Sequence, residues 1–174
     1  MLIPLRSILA CVLSVALSGG AWATQPQWPA PPSRLVLATP NGTLHVRTSE
    51  YIYESKLLID GVDIEPRIEG LLNIPYAFSM PNEHIALVSI NTGQNSCPVA
   101  YRWVVLGKKG YKVSRAFGSC SEHIEVSAKK RVFTLKTPNI QKPDKIDLYE
   151  YDGKTIKHRT VSKTLNDHAK VVPK

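Results

Sequence analysis

Cys97 and Cys120 sit symmetrically about a turn: the midpoint between them falls between Lys108 and Lys109, which are flanked by Gly107 and Gly110. No other feature restricts the fold as much. If VAYRWVVL and YKVSRAF pair as an antiparallel hairpin about that midpoint, Leu106 faces Tyr111, Val104 faces Val113 and Cys97 faces Cys120. With Leu106 and Tyr111 closing the ladder as a hydrogen-bonded pair, alternation makes the cysteines a non-hydrogen-bonded pair, their Cα atoms about 4.5 Å apart and within disulfide range. A redox-active pair would more often be C-x-x-C at a helix start. Zinc would need further ligands, and beyond His123 the histidines (His45, His84, His158, His168) have no metal-binding spacing. The pair is therefore read as a structural staple, with no metal and no cofactor.

A persistent disulfide requires an oxidising compartment, and the N-terminus points to one. Arg6, an apolar run from Ile8 to Leu17 and the small-residue motif Ala21-Trp22-Ala23 make residues 1–23 a signal peptide cleaved after Ala23, and the address periplasmic. The apolar run is about half of the roughly 20 residues that a membrane-spanning helix requires, and no later stretch comes closer, so the mature chain is expected to have no transmembrane segment. A lipid anchor at Cys11 is the weaker alternative, because the apolar run continues past that cysteine. What remains is the length of one domain with a real core.

Between turn signals at short intervals, the chain runs through segments rich in Val, Ile, Leu, Tyr and Thr. Residues 24–33 are a proline-rich lead-in, and residues 34–161 read as an all-β domain of about ten strands. Hairpins are expected to turn at Asn41-Gly42, Asp60-Gly61 and Asp152-Gly153. RIEGLLNIPYAFSM is the ambiguous stretch, since Pro75 would interrupt any helix there. Short connections favour antiparallel neighbours, hence a meander closed into a sandwich or a small barrel.

The formal charge of +8 is concentrated near the C-terminus, where Lys154, Lys157, Arg159, Lys163, Lys170 and Lys174 face Asp167 alone. Residues 162–174 read as a basic tail, a solvated end or a contact for an anionic surface. Nucleic acid is excluded as a partner for an exported chain without interleaved aromatic and basic residues there. In the hairpin register set by the cysteines, Arg102 lies opposite Arg115, an unfavourable pairing. A bulge near Ala116 or Gly118, or neutralisation by Glu122 or Glu125, would relieve it. Alternatively both guanidinium groups converge on an anion or on an acidic partner residue, with Tyr101 and Trp103 supplying aromatic contact area on the opposite face. No catalytic residue is nominated: Ser119 and Ser121 lie outside any G-x-S-x-G elbow, and Glu122 and Glu125 read as the polar face of a strand.

CPVAYRWV, followed by a hairpin and then FGSCS, resembles exported, β-rich proteobacterial proteins of unassigned function that end in a segment like YEYDGKTI. The resemblance covers about half of the mature chain. It implies the disulfide and the periplasmic address, and carries over no catalytic residue or substrate. The expected function is that of a non-enzymatic periplasmic binding protein with an envelope protein partner: an inhibitor, an immunity protein or an accessory subunit of an envelope assembly. The alternatives are an envelope hydrolase or carbohydrate-active enzyme whose residues converge only in space, and a structural subunit that assembles by strand pairing.

Overall fold

The computed structural model describes Trp28 and residues 31–163. The stretch expected to be a signal peptide, most of the proline-rich lead-in and nearly all of the expected basic tail therefore lie outside the described residues. The described chain is all β, with no helix, so none long and apolar enough to cross a membrane. Its strands are β1 (Val36–Thr39), β2 (Gly42–Arg47), β3 (Lys56–Ile59), β4 (Val62–Asp63), β5 (Leu71–Ser79), β6 (Glu83–Asn91), β7 (Ala100–Gly107), β8 (Gly110–Val113), β9 (Glu125–Lys129), β10 (Val132–Pro138), β11 (Lys145–Tyr151) and β12 (Ile156–Ser162). They form three antiparallel four-stranded sheets in the orders β1-β2-β3-β4, β5-β6-β7-β8 and β12-β11-β10-β9.

The sheet β5–β8 is the middle layer, and the reason lies in its two central strands. Along β6, Ala86, Val88 and Ile90 face one core while Ile85 and Leu87 face another; along β7, Val104 and Leu106 separate in the same way from Tyr101, Trp103 and Val105. A strand apolar on both faces must be covered on both. The first core is completed by Leu44, Val46 and Leu57 from β2 and β3, and the second by Phe133, Leu135, Tyr149 and Tyr151 from β10 and β11. The second is aromatic: Trp103 stacks on Tyr151 with centroids 5.9 Å apart and tilts against Phe133 at 5.5 Å.

The sequence expectations need correction at several points. The assembly is sandwich-like but has three open sheets, and no barrel closes. There are more strands than expected, because the ambiguous stretch is β5. Pro75 is accommodated by a bulge between Asn73 and Tyr76 on this edge strand, where a missing N–H is tolerated. The first hairpin turns on Pro40 and Asn41, since Thr39 pairs with Gly42; the fixed φ of proline is incompatible with the positive φ of a type I′ turn at that position. Asp60 and Gly61 turn as expected, with φ of 49° and 84°. The last hairpin has a longer loop, 152–155, between Tyr151 and Ile156.

The connections sort by length to opposite ends. Each odd-numbered strand leads to the next through a tight turn (40–41, 60–61, 80–82, 108–109, 130–131, 152–155), whereas even strands lead on through 48–55, 64–70, 92–99, 114–124 and 139–144. Contacts between sheets bring the tight turns to one shared end: Asn41 Nδ2 donates to Asn82 O and Leu106 O, both at 3.3 Å, and Arg131 pairs with Glu83 at 2.6 Å. The long connections occupy the other, hereafter the loop end.

Candidate functional site

The loop end is organised around the disulfide between Cys97 and Cys120, whose Cα atoms are 4.6 Å apart. The ladder leading to it is interrupted. Ser114 N donates to Trp103 O, but Tyr101 exchanges hydrogen bonds of 2.8 and 2.9 Å with Phe117, so one extra residue lies on the 114–117 side and Arg102 is opposed by both Arg115 and Ala116. This is a bulge. Nearer the cysteines the extra residue falls on the other side, which restores their register. Gly118 has φ +126°, and a Cβ there would lie 2.9 Å from Tyr101 Cδ2.

The bulge separates the two arginines. Arg102 Nη1 donates to Ser114 O at 3.0 Å, while Arg115 Nη2 reaches Ile156 O on β12 at 3.3 Å. They bond to different carbonyls rather than converging on one anion, and among the described residues neither is ion-paired with Glu122 or Glu125, the latter pairing with Lys136 across β9 and β10. Tyr101 and Trp103, expected to offer contact area, are 2% and 0% exposed and belong to the second core. The sheet β9–β12, whose strands the sequence predicts but whose packing on β7 it does not, covers that face. Burial, aided by the charges of Glu122 and Tyr76, pushes the Tyr101 hydroxyl far up, and it donates to Ser121 O at 2.9 Å.

On the other side of the same corner is a buried carboxylate. Asp147 Oδ1 accepts from Thr160 Oγ1 (2.6 Å) and faces His158 Nε2 (3.1 Å), while Oδ2 accepts from Asn139 Nδ2 (2.9 Å) and from Ser119 Oγ. The Ser119 hydroxyl also meets Tyr149 OH at 3.0 Å, and Tyr149 stacks on His158 with centroids 4.4 Å apart. Burial acts to raise the Asp147 pKa, but the bonds from Ser119, Thr160, Asn139 and His158 outweigh it and hold the carboxyl below its ordinary value. Burial likewise raises Tyr149, and Asp147 adds to the rise.

This cluster contains residue types of hydrolytic catalysis, but its bonding order differs. Asp147 stands between Ser119 and His158, so the imidazole does not contact the serine whose proton it would have to take. Both carboxylate oxygens are occupied from two directions, which suits a latch between the disulfide corner and the outer sheet. Sequence reasoning left Asp147 and Tyr149 unremarked and passed over Ser119 and His158. Four of its six residues were accessible: once β11 and β12 are seen as a hairpin, Tyr149 pairs with His158 and Asp147 with Thr160. Ser119 carries no local signal.

Beside the corner opens a cleft of about 370 Å³ whose apolar wall includes Leu35, Leu71, Val99 and Ile124 and whose polar rim includes Asn91 and Glu122. The 48–55 connection lies against the segments that lead to this cleft: Gly70 N, just before Leu71, donates to Ser55 O at 3.0 Å, and a Cβ at Gly93, two residues after Asn91, would lie 2.9 Å from the Tyr53 ring. On that connection Tyr51, Ile52 and Tyr53 are 68%, 59% and 46% exposed. Among the described residues no group of side chains has the makings of a metal site. Comparison with protein families, with curated proteins and with solved structures finds no match.

Proposed function

We propose that this protein is a non-enzymatic binding module of the periplasm that engages an envelope protein through its loop end, as an inhibitor, an immunity protein or an accessory subunit of an envelope assembly would. The observation that carries this reading is the exposure of Tyr51-Ile52-Tyr53 at the loop end, on a connection bonded through Ser55 to the residue before Leu71 of the apolar cleft. Tyrosines flanking an aliphatic residue supply large contact area at low conformational cost, and tyrosine is enriched at binding hot spots. Recognition loops are characteristically mounted on a rigid scaffold. Here the scaffold is the doubly covered middle sheet, stapled at that same end by Cys97–Cys120. The disulfide supports an oxidising address.

The test is differential capture from the native envelope. Wild-type protein is expected to retain a stoichiometric partner that Ile52→Asp loses, with the thermal midpoint unchanged because the side chain is exposed. Equal retention by both proteins, or no partner with either, would contradict the proposal.

A further inference from the structure

The tight-turn end carries an uncommitted positive charge. Lys108 and Lys109 form the β7–β8 turn, with Lys112 just beyond it; Lys129 and Lys130 lie at the β9–β10 turn and Lys154 in the β11–β12 loop. All are exposed, and among the described residues none is in an ion pair. These tips are neighbours: a Cβ at Gly107 would lie 3.6 Å from Glu83 Cγ, Glu83 holds Arg131, and a Cβ at Gly153 would lie 4.0 Å from Arg131 Nη2.

The acidic groups at this end are engaged locally. Glu83 pairs with Arg131, Asp60 accepts from Thr43 N at 2.8 Å, and Asp152 accepts from the backbone of Lys154 and Thr155. At the loop end Lys56, Arg67 and Lys145 have carboxylate partners, while Arg34, Lys142 and Lys163 are in no ion pair among the described residues. Among the described residues, then, the larger group of lysines without an ion pair, six of them, lies on or beside the hairpin tips.

We propose that the tight-turn end docks on an anionic phospholipid bilayer. The tips come from separate hairpins and spread across one end of the molecule, a shape that meets a plane rather than tracking a strand in a groove. The free cations are lysines, which act as point charges without planar recognition of single phosphates; the arginine among them, Arg131, is held by Glu83. Exposed apolar side chains lie beside the charges, Val132 next to Arg131 and Val62 next to the Asp60-Gly61 turn, 39% and 70% exposed. Lysines attract a negatively charged leaflet from a Debye length away, and neighbouring apolar groups then enter its interfacial region. Docked in this way, the protein would present its loop end away from the membrane. The docking depends on the charges and apolar groups of the tight-turn end, independently of what the loop end binds.

Flotation of the oxidised protein with vesicles of equal parts phosphatidylglycerol and phosphatidylcholine tests it. Binding is expected at about 0.05 M salt, to fade by about 0.5 M, and to be absent on pure phosphatidylcholine. Combining Lys108→Gln, Lys109→Gln, Lys130→Gln and Lys154→Gln should weaken partitioning about tenfold or more while the thermal midpoint is kept. Lys163→Gln with Lys170→Gln and Lys174→Gln should leave it within about twofold. The inference is overturned if the wild type does not float with anionic vesicles, if the tip variant floats like the wild type, if the tail variant alone loses binding, or if soluble polyphosphate is bound and vesicles are not.

Discussion

Ser119 and Asp147, 28 residues apart, are joined by a hydrogen bond that ties the residue before Cys120 to the inner face of the outer sheet. The disulfide and the buried carboxylate thus act on one corner from two sides, one covalent and one polar. Asp147→Asn keeps the volume but removes the charge that four donors address. Unfolding should become easier by about 1–3 kcal/mol at neutral pH, measured by urea titration.

The pH dependence of the same group has a definite sign. The folded state holds the Asp147 carboxyl below its ordinary value, so its contribution is complete above the unfolded pKa, near 4. It is lost as pH falls through the lower folded value, a window in which the unfolded chain binds the extra proton. Stability measured from neutral pH down to about pH 2 should therefore fall less steeply in Asp147→Asn than in the wild type below about pH 4. Parallel curves would show that Asp147 is not the group responsible.

Removal of the staple has an expected magnitude. For a loop closed across a sequence separation of 23, the chain-entropy relation assigns the bond about 3.4 kcal/mol. Cys97→Ser should lower the thermal midpoint by roughly 10 °C. Oxidised wild-type protein, denatured and titrated with a thiol reagent, should show no reactivity from Cys97 or Cys120.

The arginines should behave as independent groups. Because Arg102 and Arg115 bond to carbonyls on different elements, the stability changes of Arg102→Gln and Arg115→Gln should add to within about 0.5 kcal/mol, and neither change should be stabilising. A gain in stability on removing either one would reveal the like-charge repulsion that the bulge is held to relieve.

Gly118 tests the packing of the corner. At φ +126°, with Tyr101 Cδ2 lying 2.9 Å from where a Cβ would be, Gly118→Ala combines backbone strain with a clash against a core ring. A loss of about 2 kcal/mol or more is expected in denaturant unfolding.

The sequence disclosed what depends on local pattern. The hairpin about Lys108-Lys109, the Asp60-Gly61 turn and the disulfide follow from alternation, turn chemistry and spacing. Even there the agreement conceals a difference. The ladder closes at Gly107–Gly110 rather than Leu106–Tyr111, and with Ser114 N bonded to Trp103 O an unbroken ladder would make the cysteines a hydrogen-bonded pair about 5.5 Å apart. The bulge and its compensation bring them to 4.6 Å.

The three-layer arrangement was written in IALVSI and WVVL, apolar runs too continuous for one-sided strands, but which sheets cover them depends on pairings that no local pattern specifies. β5 was obscured because Pro75 lies in its bulge. Ser119 could not be connected with Asp147, since their meeting requires the corner turned by Gly118 and Cys120, whose φ is 59°. The loop-end ridge escaped notice because Tyr51-Ile52-Tyr53 resembles strand sequence, and only the fold leaves it exposed.

The most direct test of the central claim places a photo-cross-linking amino acid at Ile52 in one protein and at Lys109 in another, each expressed in the native envelope and irradiated. Ile52 lies on the loop end and Lys109 on the tight-turn end. The account predicts a discrete protein adduct from position 52 and none of the same mass from position 109. The same adduct from both positions, or from 109 alone, would contradict it.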